Sequence, residues 1–300
     1  MKKLSAPAYR RARDFIHTHA RPLERSLFAH EFEAGARAAV LDALGAYQNP
    51  DGGFGRALEP DLRLPDSSGI ATLTGLDVLR DVAADADEPA VRRALEWVVA
   101  AYDPTLPGWA CVPPSVDAFA HAGHWSWALH RPGGPWPHML VPGARLLAHL
   151  QHWRTLAPAR LLASYTEAFR AHIETLDGAV GAHGLYYASS VDAPELREKL
   201  RDLAVRNVNR NPAEWTTYVN KPLRLAPLPD SAFAGVLAKE VAMNLDFEID
   251  QQGSDGGWEP NWSWQGAYPA EWENARREIR GELTLSALRS LRAYGRIEGL

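Results

Sequence analysis

The chain has 300 residues, 46% hydrophobic and 23% charged, with 32 basic and 37 acidic side chains giving a formal charge of -5. Such a composition supports an ordinary globular core, while the acidic balance argues against nucleic-acid or anionic-membrane partners, which call for a basic face. The single cysteine, Cys111, excludes an intrachain disulfide and any Cys-rich zinc site.

Residues 6–19 and 21–30 read as short helices divided at Pro22. From Glu33 to Tyr47 the residues Val40, Leu44 and Tyr47 recur at helical spacing. Ser67 and Ser68 then offer N-caps to a helix carrying Ile70, Leu73, Leu76 and Leu79. Asp87-Glu88-Pro89 places acids and proline at the start of the next helix, whose stripe is Val91, Leu95, Val98 and Tyr102. Residues 103–142 break the pattern with many prolines and with Trp109, Trp125, Trp127 and Trp136; a packed loop with a short helix near 116–130 is expected there. Stripes resume with Leu146, Leu150 and Trp153, then Leu162, Tyr165, Phe169, Ile173 and Leu176, then Leu196, Leu200 and Leu203. Residues 207–229 are rich in Asn and Pro and hold Trp215, Tyr218 and Lys221. Ser231 reads as the cap of a helix with Phe233, Leu237 and Val241, and a last helix carries Ile279, Leu283, Leu291 and Tyr294. No strand alternation and no linker-like shift interrupts this, which predicts an all-α chain with one domain over residues 1–300. At ordinary helix lengths it holds about ten to twelve helices.

One stretch recurs. Tyr47-Gln48-Asn49-Pro50-Asp51-Gly52-Gly53-Phe54-Gly55 leads on to Glu59-Pro60-Asp61, and Gln252-Gly253-Ser254-Asp255-Gly256-Gly257-Trp258 is followed at once by Glu259-Pro260. Asp-Gly-Gly suits a tight reversal, with a positive φ expected at Gly53. Helix pairs joined by such turns suggest a closed or curved array.

These two turns resemble the Gln/Gly/Trp repeat turns of the terpenoid cyclase and protein prenyltransferase superfamily, and a group of prenyltransferase-like bacterial proteins. The resemblance implies an α/α-toroid, a barrel of helical hairpins around a central cavity, and an isoprenoid-like substrate. It does not carry the usual chemistry with it. The acidic motif of alkene-protonating cyclases is absent, since Asp246-Phe247-Glu248-Ile249-Asp250 is spaced differently. The diphosphate-binding aspartate motif is absent too, and Trp109 stands two residues before Cys111 where a zinc prenyltransferase has aspartate.

Carboxylates crowd the two loops. Glu59, Asp61 and Glu259 are the expected catalytic acids and bases, while Asp51 and Asp255 are expected to bond their own turns. Asp66, Trp262, Trp264, Trp125, Trp127 and Tyr218 are the expected substrate contacts, with Trp258 structural. Aromatic walls suit an apolar or cationic ligand; beside paired carboxylates they equally suit sugar rings, so a carbohydrate-active hydrolase or lyase is the alternative enzyme and a non-catalytic binding module the alternative to both. Asp117, His121 and His124, with Cys111 near, have the spacing of a helical metal face, but such groups more often satisfy local hydrogen bonds, and no metal ligand or cofactor is assigned. A small-molecule substrate is expected. With no apolar run of spanning length and no apolar stretch behind Lys2 and Lys3, neither membrane insertion nor secretion is expected, and the location is expected to be cytoplasmic. In a closed array the two loops become neighbours, so Glu59, Asp61, Glu259 and Trp262 are predicted to line one pocket.

Overall fold

The helices begin where the sequence supplies a cap or a proline. Ser5 caps α1 (Ala6–His19), and Pro22 opens α2 (Pro22–Phe32). Ser68 Oγ accepts from Ala71 N at 3.2 Å to start α4 (Gly69–Asp81), and Pro89 starts α5 (Pro89–Ala100). The computed structural model describes residues 1–106 and 108–300. Among these the chain is all-α, with thirteen α-helical segments and no β-strand. The others are α3 (Arg37–Gly45), α6 (Trp127–His130), α7 (Arg145–His152), α8 (Ala159–Thr175), α9 (Ala182–Ser189), α10 (Arg197–Asn207), α11 (Pro222–Leu225), α12 (Ala238–Asp250) and α13 (Pro269–Ala293). No helix among the described residues is long and apolar enough to cross a membrane.

Some expectations need correction. The helix anticipated from Glu33 starts only at Arg37, because Ala34 takes a positive φ and reverses the chain. The 116–130 segment is not one helix. It forms short turns at Pro114–Ala118 and Gly123–Trp125 before α6, so no continuous helical face runs through it, although Asp117 still approaches His121 Nε2 at 3.7 Å. Ser231 does not cap a helix; its Oγ accepts from Leu228 N at 3.0 Å in a turn, and α12 starts at Ala238. The eight residues of α9, Ala-His-Gly-Leu-Tyr-Tyr-Ala-Ser, carry no apolar stripe long enough to be read as a helix.

Neighbouring helices pack in sequence: α1 on α2, α2 on α3, α3 on α4, α4 on α5 and α7, α7 on α8 and α9, α9 on α10 and α11, and α11 on α12. The last helix, α13, returns to pack on α1 and α2. The ends are tied as well. Leu4 N donates to Arg296 O at 2.7 Å and Glu298 N to Leu4 O at 3.0 Å. The main core runs through these interfaces; Leu73, Leu76 and Leu79 of α4 and Leu285, Leu288 and Leu291 of α13 are all buried in it, each stabilising the fold by about 2 kcal/mol on area grounds. A second buried cluster, including Leu62, Leu64, Cys111, Trp125, Trp264 and Ile279, lies under the loops.

The two Asp-Gly-Gly turns are superimposable in their hydrogen bonds. Gln48 Nε2 donates to Gly52 O (2.9 Å) and across to Ala90 O of α5 (3.0 Å). Gln252 Nε2 donates to Gly256 O (3.0 Å) and across to Ala8 O of α1 (3.0 Å). Asp51 accepts from Gly53 N and Asp255 from Gly257 N, at 3.1 and 3.2 Å, as expected for turn aspartates. Phe54 N and Trp258 N donate to Thr72 and Thr284 Oγ1 at 3.0 and 3.1 Å. The positive φ falls one residue earlier than expected, at Gly52 (94°) and Gly256 (97°). Gly53 is required for a different reason: a Cβ there would stand 2.6 Å from the Ser67 Cβ.

Candidate functional site

Asp61 is the fixed point of the loop region. The chain from Asp61 to Arg63 lies beside residues 120–122, with Ala122 N donating to Asp61 O at 2.9 Å and Arg63 N to Ala120 O at 2.9 Å. The Asp61 carboxylate is buried and accepts two indole N–H groups, Trp262 Nε1 at 2.8 Å and Trp264 Nε1 at 2.6 Å. Residues two hundred positions apart in sequence thus meet through one carboxylate, as the neighbouring-loop argument predicts.

Around Asp61 stand groups whose charged forms are disfavoured. Burial pushes the Glu59 carboxyl well above its ordinary range, and the adjacent Glu282 and Asp61 charges push the same way. Glu282, on α13, is raised to about 7 by burial; Arg21 opposes this, while Glu24 and Asp61 reinforce it. Burial also lowers His183 to about 4, helped by Arg224 and His124, and lowers His124 against the opposing pull of Asp61. Burial raises Tyr187. Yet Glu59, Glu282 and Tyr187 are only half-buried, and His124 and His183 are exposed. Accessible side chains surrounded this densely look into a concave space rather than onto an open surface.

The rest of that wall is charged and mostly paired. Burial would raise Asp77, but Arg145 at 2.7 Å and His149 at 2.9 Å outweigh it and hold its pKa low. Arg145 lies over the rings of Tyr186 and Tyr187 at 5.6 and 6.0 Å. Arg289 joins Glu31 and Asp81, and Arg21 pairs with Glu24. Beyond Trp262, Arg224 sits over the exposed Tyr218 ring at 4.2 Å and over Trp262 at 6.0 Å. Both Arg224 and Trp262 also line a cleft of about 260 Å³ bounded by Trp215, Phe247, Trp258 and Glu259.

The predicted residues therefore divide. Glu59, Asp61, Trp262 and Trp264 are gathered, with Tyr218 edge-on to Trp262 at 6.0 Å. Glu259 shares the cleft with Trp262, but Glu59 and Asp61 are not in that wall; its carboxylate is exposed and paired with Arg276 at 3.0 Å and Arg280 at 2.8 Å. Asp66 is exposed and accepts from Ser115 Oγ at 3.3 Å. Trp125 is buried against His124, His130 and Trp136, and Trp127 packs half-buried on the same cluster, so these two belong to the core under the loops. Asp117, His121 and His124 do not converge as one set: Asp117 accepts from Trp127 N at 2.9 Å, and His121 Nδ1 donates to Phe119 O at 2.7 Å. Sequence reasoning passed over Glu282, His183, Tyr187 and Arg224. The available signal was the polar stripe Glu278, Glu282, Ser286, Arg289, which continues into the half of the helix that also carries the buried Leu285, Leu288 and Leu291.

No family model matches the chain, and no curated protein matches it in sequence.

Proposed function

We propose that this chain is an α/α-toroid enzyme of one domain that performs proton-transfer chemistry in a central cavity. The toroid reading is supported by the order of helix contacts, by α13 returning to α1 and α2, and by the second turn docking on α1 as the first docks on α5. It agrees with the terpenoid cyclase-like resemblance of the turns. The observation that carries the function is Asp61, gripped by two indoles beside Glu59 and Glu282, whose carboxyls retain protons toward neutral pH. A carboxylate bonded by two N–H donors next to carboxyls kept neutral is an acid/base arrangement. Glu282 and Glu59 are the proton donors; Asp61 orients the donor and stabilises developing positive charge.

The character of the wall supports one substrate class over the other. Asp77, Arg145, Arg224, Arg289, His183 and Tyr187 would lose their water to an isoprenoid chain and receive no hydrogen bond in return, which costs several kcal/mol. A hydroxyl-rich, sugar-like molecule satisfies them and stacks on Trp262 and Tyr218, so hydrolysis or elimination on a carbohydrate is the reading favoured over the isoprenoid one.

The test is a panel of neutral and uronic-acid oligosaccharides alongside isoprenoid alcohols and diphosphates, followed by product chromatography. Turnover of a saccharide is expected, falling as pH rises through about 7 where Glu282 loses its proton. Glu59→Gln and Glu282→Gln should each reduce it by roughly 10²–10⁴-fold. Turnover of isoprenoids alone would overturn the substrate class; full activity in both variants would overturn the acid assignment.

A further inference from the structure

Away from Asp61, three side chains converge under the Pro- and Trp-rich segment. Cys111 Sγ and one ring nitrogen each from His130 and His138 lie within 4.8 Å of one another, and all three residues are buried, at 0%, 0% and 4% exposure. His130 ends α6, and His138 lies eight residues on, before Met139. Each imidazole donates from Nε2 to a backbone carbonyl: His130 to His124 O at 2.8 Å, and His138 to His130 O at 3.1 Å. Those bonds set the tautomer, so each Nδ1 is the lone-pair nitrogen. Neither Nδ1 has a hydrogen-bond partner among the described residues. The Trp109 carbonyl also approaches the His138 ring, without a hydrogen bond of proper geometry to Nδ1.

Two buried lone pairs without donors, set beside a thiol, are unfavourable as they stand. Backbone carbonyls holding the far nitrogen of each ring are the usual outer support of metal-binding histidines. We propose that Cys111 Sγ, His130 Nδ1 and His138 Nδ1 bind one zinc ion. One sulfur and two imidazoles suit zinc by ligand type, and harder ions such as magnesium or calcium are excluded by the lack of carboxylates. Binding replaces the thiol proton: Cys–SH and Zn²⁺ give a Cys–S–Zn bond and a released H⁺. Trp136 Nε1, which faces Sγ and also donates to Val141 O at 2.9 Å, supports the thiolate. Zinc–ligand bonds of about 2.0–2.3 Å need donor atoms roughly 3.5 Å apart, so the three side chains close by up to about an ångström on loading. The fourth position falls to water or to the Val141 carbonyl, already 3.2 Å from Sγ. The ion clips Cys111 to the 130–138 turn. Through the His124 carbonyl it also steadies the segment that sets His124 beside Asp61.

The test uses the untagged full chain, purified without chelator and titrated with zinc chloride. About one zinc per chain by elemental analysis is expected, with a melting temperature that rises on loading and falls with a strong chelator. Cobalt(II) in place of zinc should give a thiolate-to-cobalt charge-transfer band in the near ultraviolet, a direct readout of sulfur ligation in the wild-type protein. Cys111→Ser should abolish that band, and His130→Gln and His138→Gln should each lower zinc affinity by at least tenfold. Less than a tenth of an equivalent of zinc after titration, or cobalt binding with no sulfur band, would overturn the site. Variants that fail to fold leave the cobalt spectrum of the wild type to decide.

Discussion

In both Asp-Gly-Gly turns a glutamine amide closes the turn and reaches to a helix beyond it, an aspartate accepts from the second glycine's amide, and a threonine hydroxyl accepts from the amide of the aromatic residue. The likeness continues into the helices that follow. Gly69, Thr72, Leu73, Leu76 and Leu79 of α4 match Gly281, Thr284, Leu285, Leu288 and Leu291 of α13 in spacing, and both helices end in a positive φ, at Ala83 (50°) and Gly295 (65°). The difference lies in two places. After Phe54 the first loop inserts Gly55 to Leu58, with Arg56 and Ala57 at positive φ, and this delivers Glu59 toward Asp61 and Glu282. After Trp258 nothing is inserted, and Glu259 stays with Arg276 and Arg280. Second, α13 carries Glu282 where α4 carries the buried Ile70. One scaffold, repeated, holds the architecture; its departures from the repeat hold the acids.

The shared scaffold is broken most severely at its glycines. Gly52→Val and Gly256→Val should each cost about 4 kcal/mol or more, because each adds a β-branched side chain at positive φ and sets a Cβ into a carbonyl, that of Arg93 or of Arg11. Chemical unfolding of the two variants measures it. Near-wild-type stability in Gly256→Val beside collapse in Gly52→Val would show that the second turn is not the structural equal of the first.

Next comes the site where the repeats differ. The ordinary value for Glu282 is near 4.5, and in the fold it is about 7. Between these the folded state keeps a proton that the unfolded chain has released, so stability falls as pH rises and the cost is complete above about 7. Glu282→Gln removes that cost and should stabilise by at most about 3 kcal/mol at pH 8, with almost no effect at pH 4. Melting curves of both proteins across that range decide it; a constant difference would mean Glu282 is not buried against like charge.

How much of this was legible follows from what each residue does locally. The turns were visible because Gln, Asp, Gly and the aromatic act within a few positions of one another. Their chemistry is local even when their docking is not. The positive φ was assigned to Gly53 rather than Gly52 because sequence shows that a glycine pair is needed, not which member turns and which merely lacks room for a side chain. Glu59 and Asp61 stood out because no turn role accounts for them. Glu282 did not, since a glutamate in a long helix reads as solvent-facing until the helix's polar side is seen to face other acids. The spacing of Asp117, His121 and His124 suggested a metal face on a helix that does not form, while His130 and His138 reach Cys111 only through the path of the loop.

The glutamines come third in size. Gln48→Ala removes amide donation to Gly52 O and Ala90 O, and Gln252→Ala the same to Gly256 O and Ala8 O. Each leaves carbonyls unsatisfied at a cost of about 1–3 kcal/mol. Hydrogen exchange sharpens the comparison: Gln48→Ala should loosen the first turn of α5, and Gln252→Ala that of α1. If Gln252→Ala leaves exchange in α1 unchanged, the second turn does not hold the first helix to the last hairpin.

The smallest effect separates the two loop glutamates. Glu259 is 45% exposed, and its partners Arg276 and Arg280 are 41% and 16% exposed. Ion pairs in that setting contribute below about 1 kcal/mol and weaken as salt screens them. Glu259→Gln should therefore destabilise slightly at low salt and less at high salt. Glu59→Gln should behave in the opposite sense. Its carboxylate is disfavoured by burial and by Glu282 and Asp61, so neutralising it stabilises the fold as pH rises. Thermal melts of both variants at two salt concentrations and two pH values test sign as well as size. If Glu259→Gln also stabilises at pH 8, the four inserted residues do not set the two glutamates apart, and the assignment of acid chemistry to Glu59 rather than Glu259 is lost.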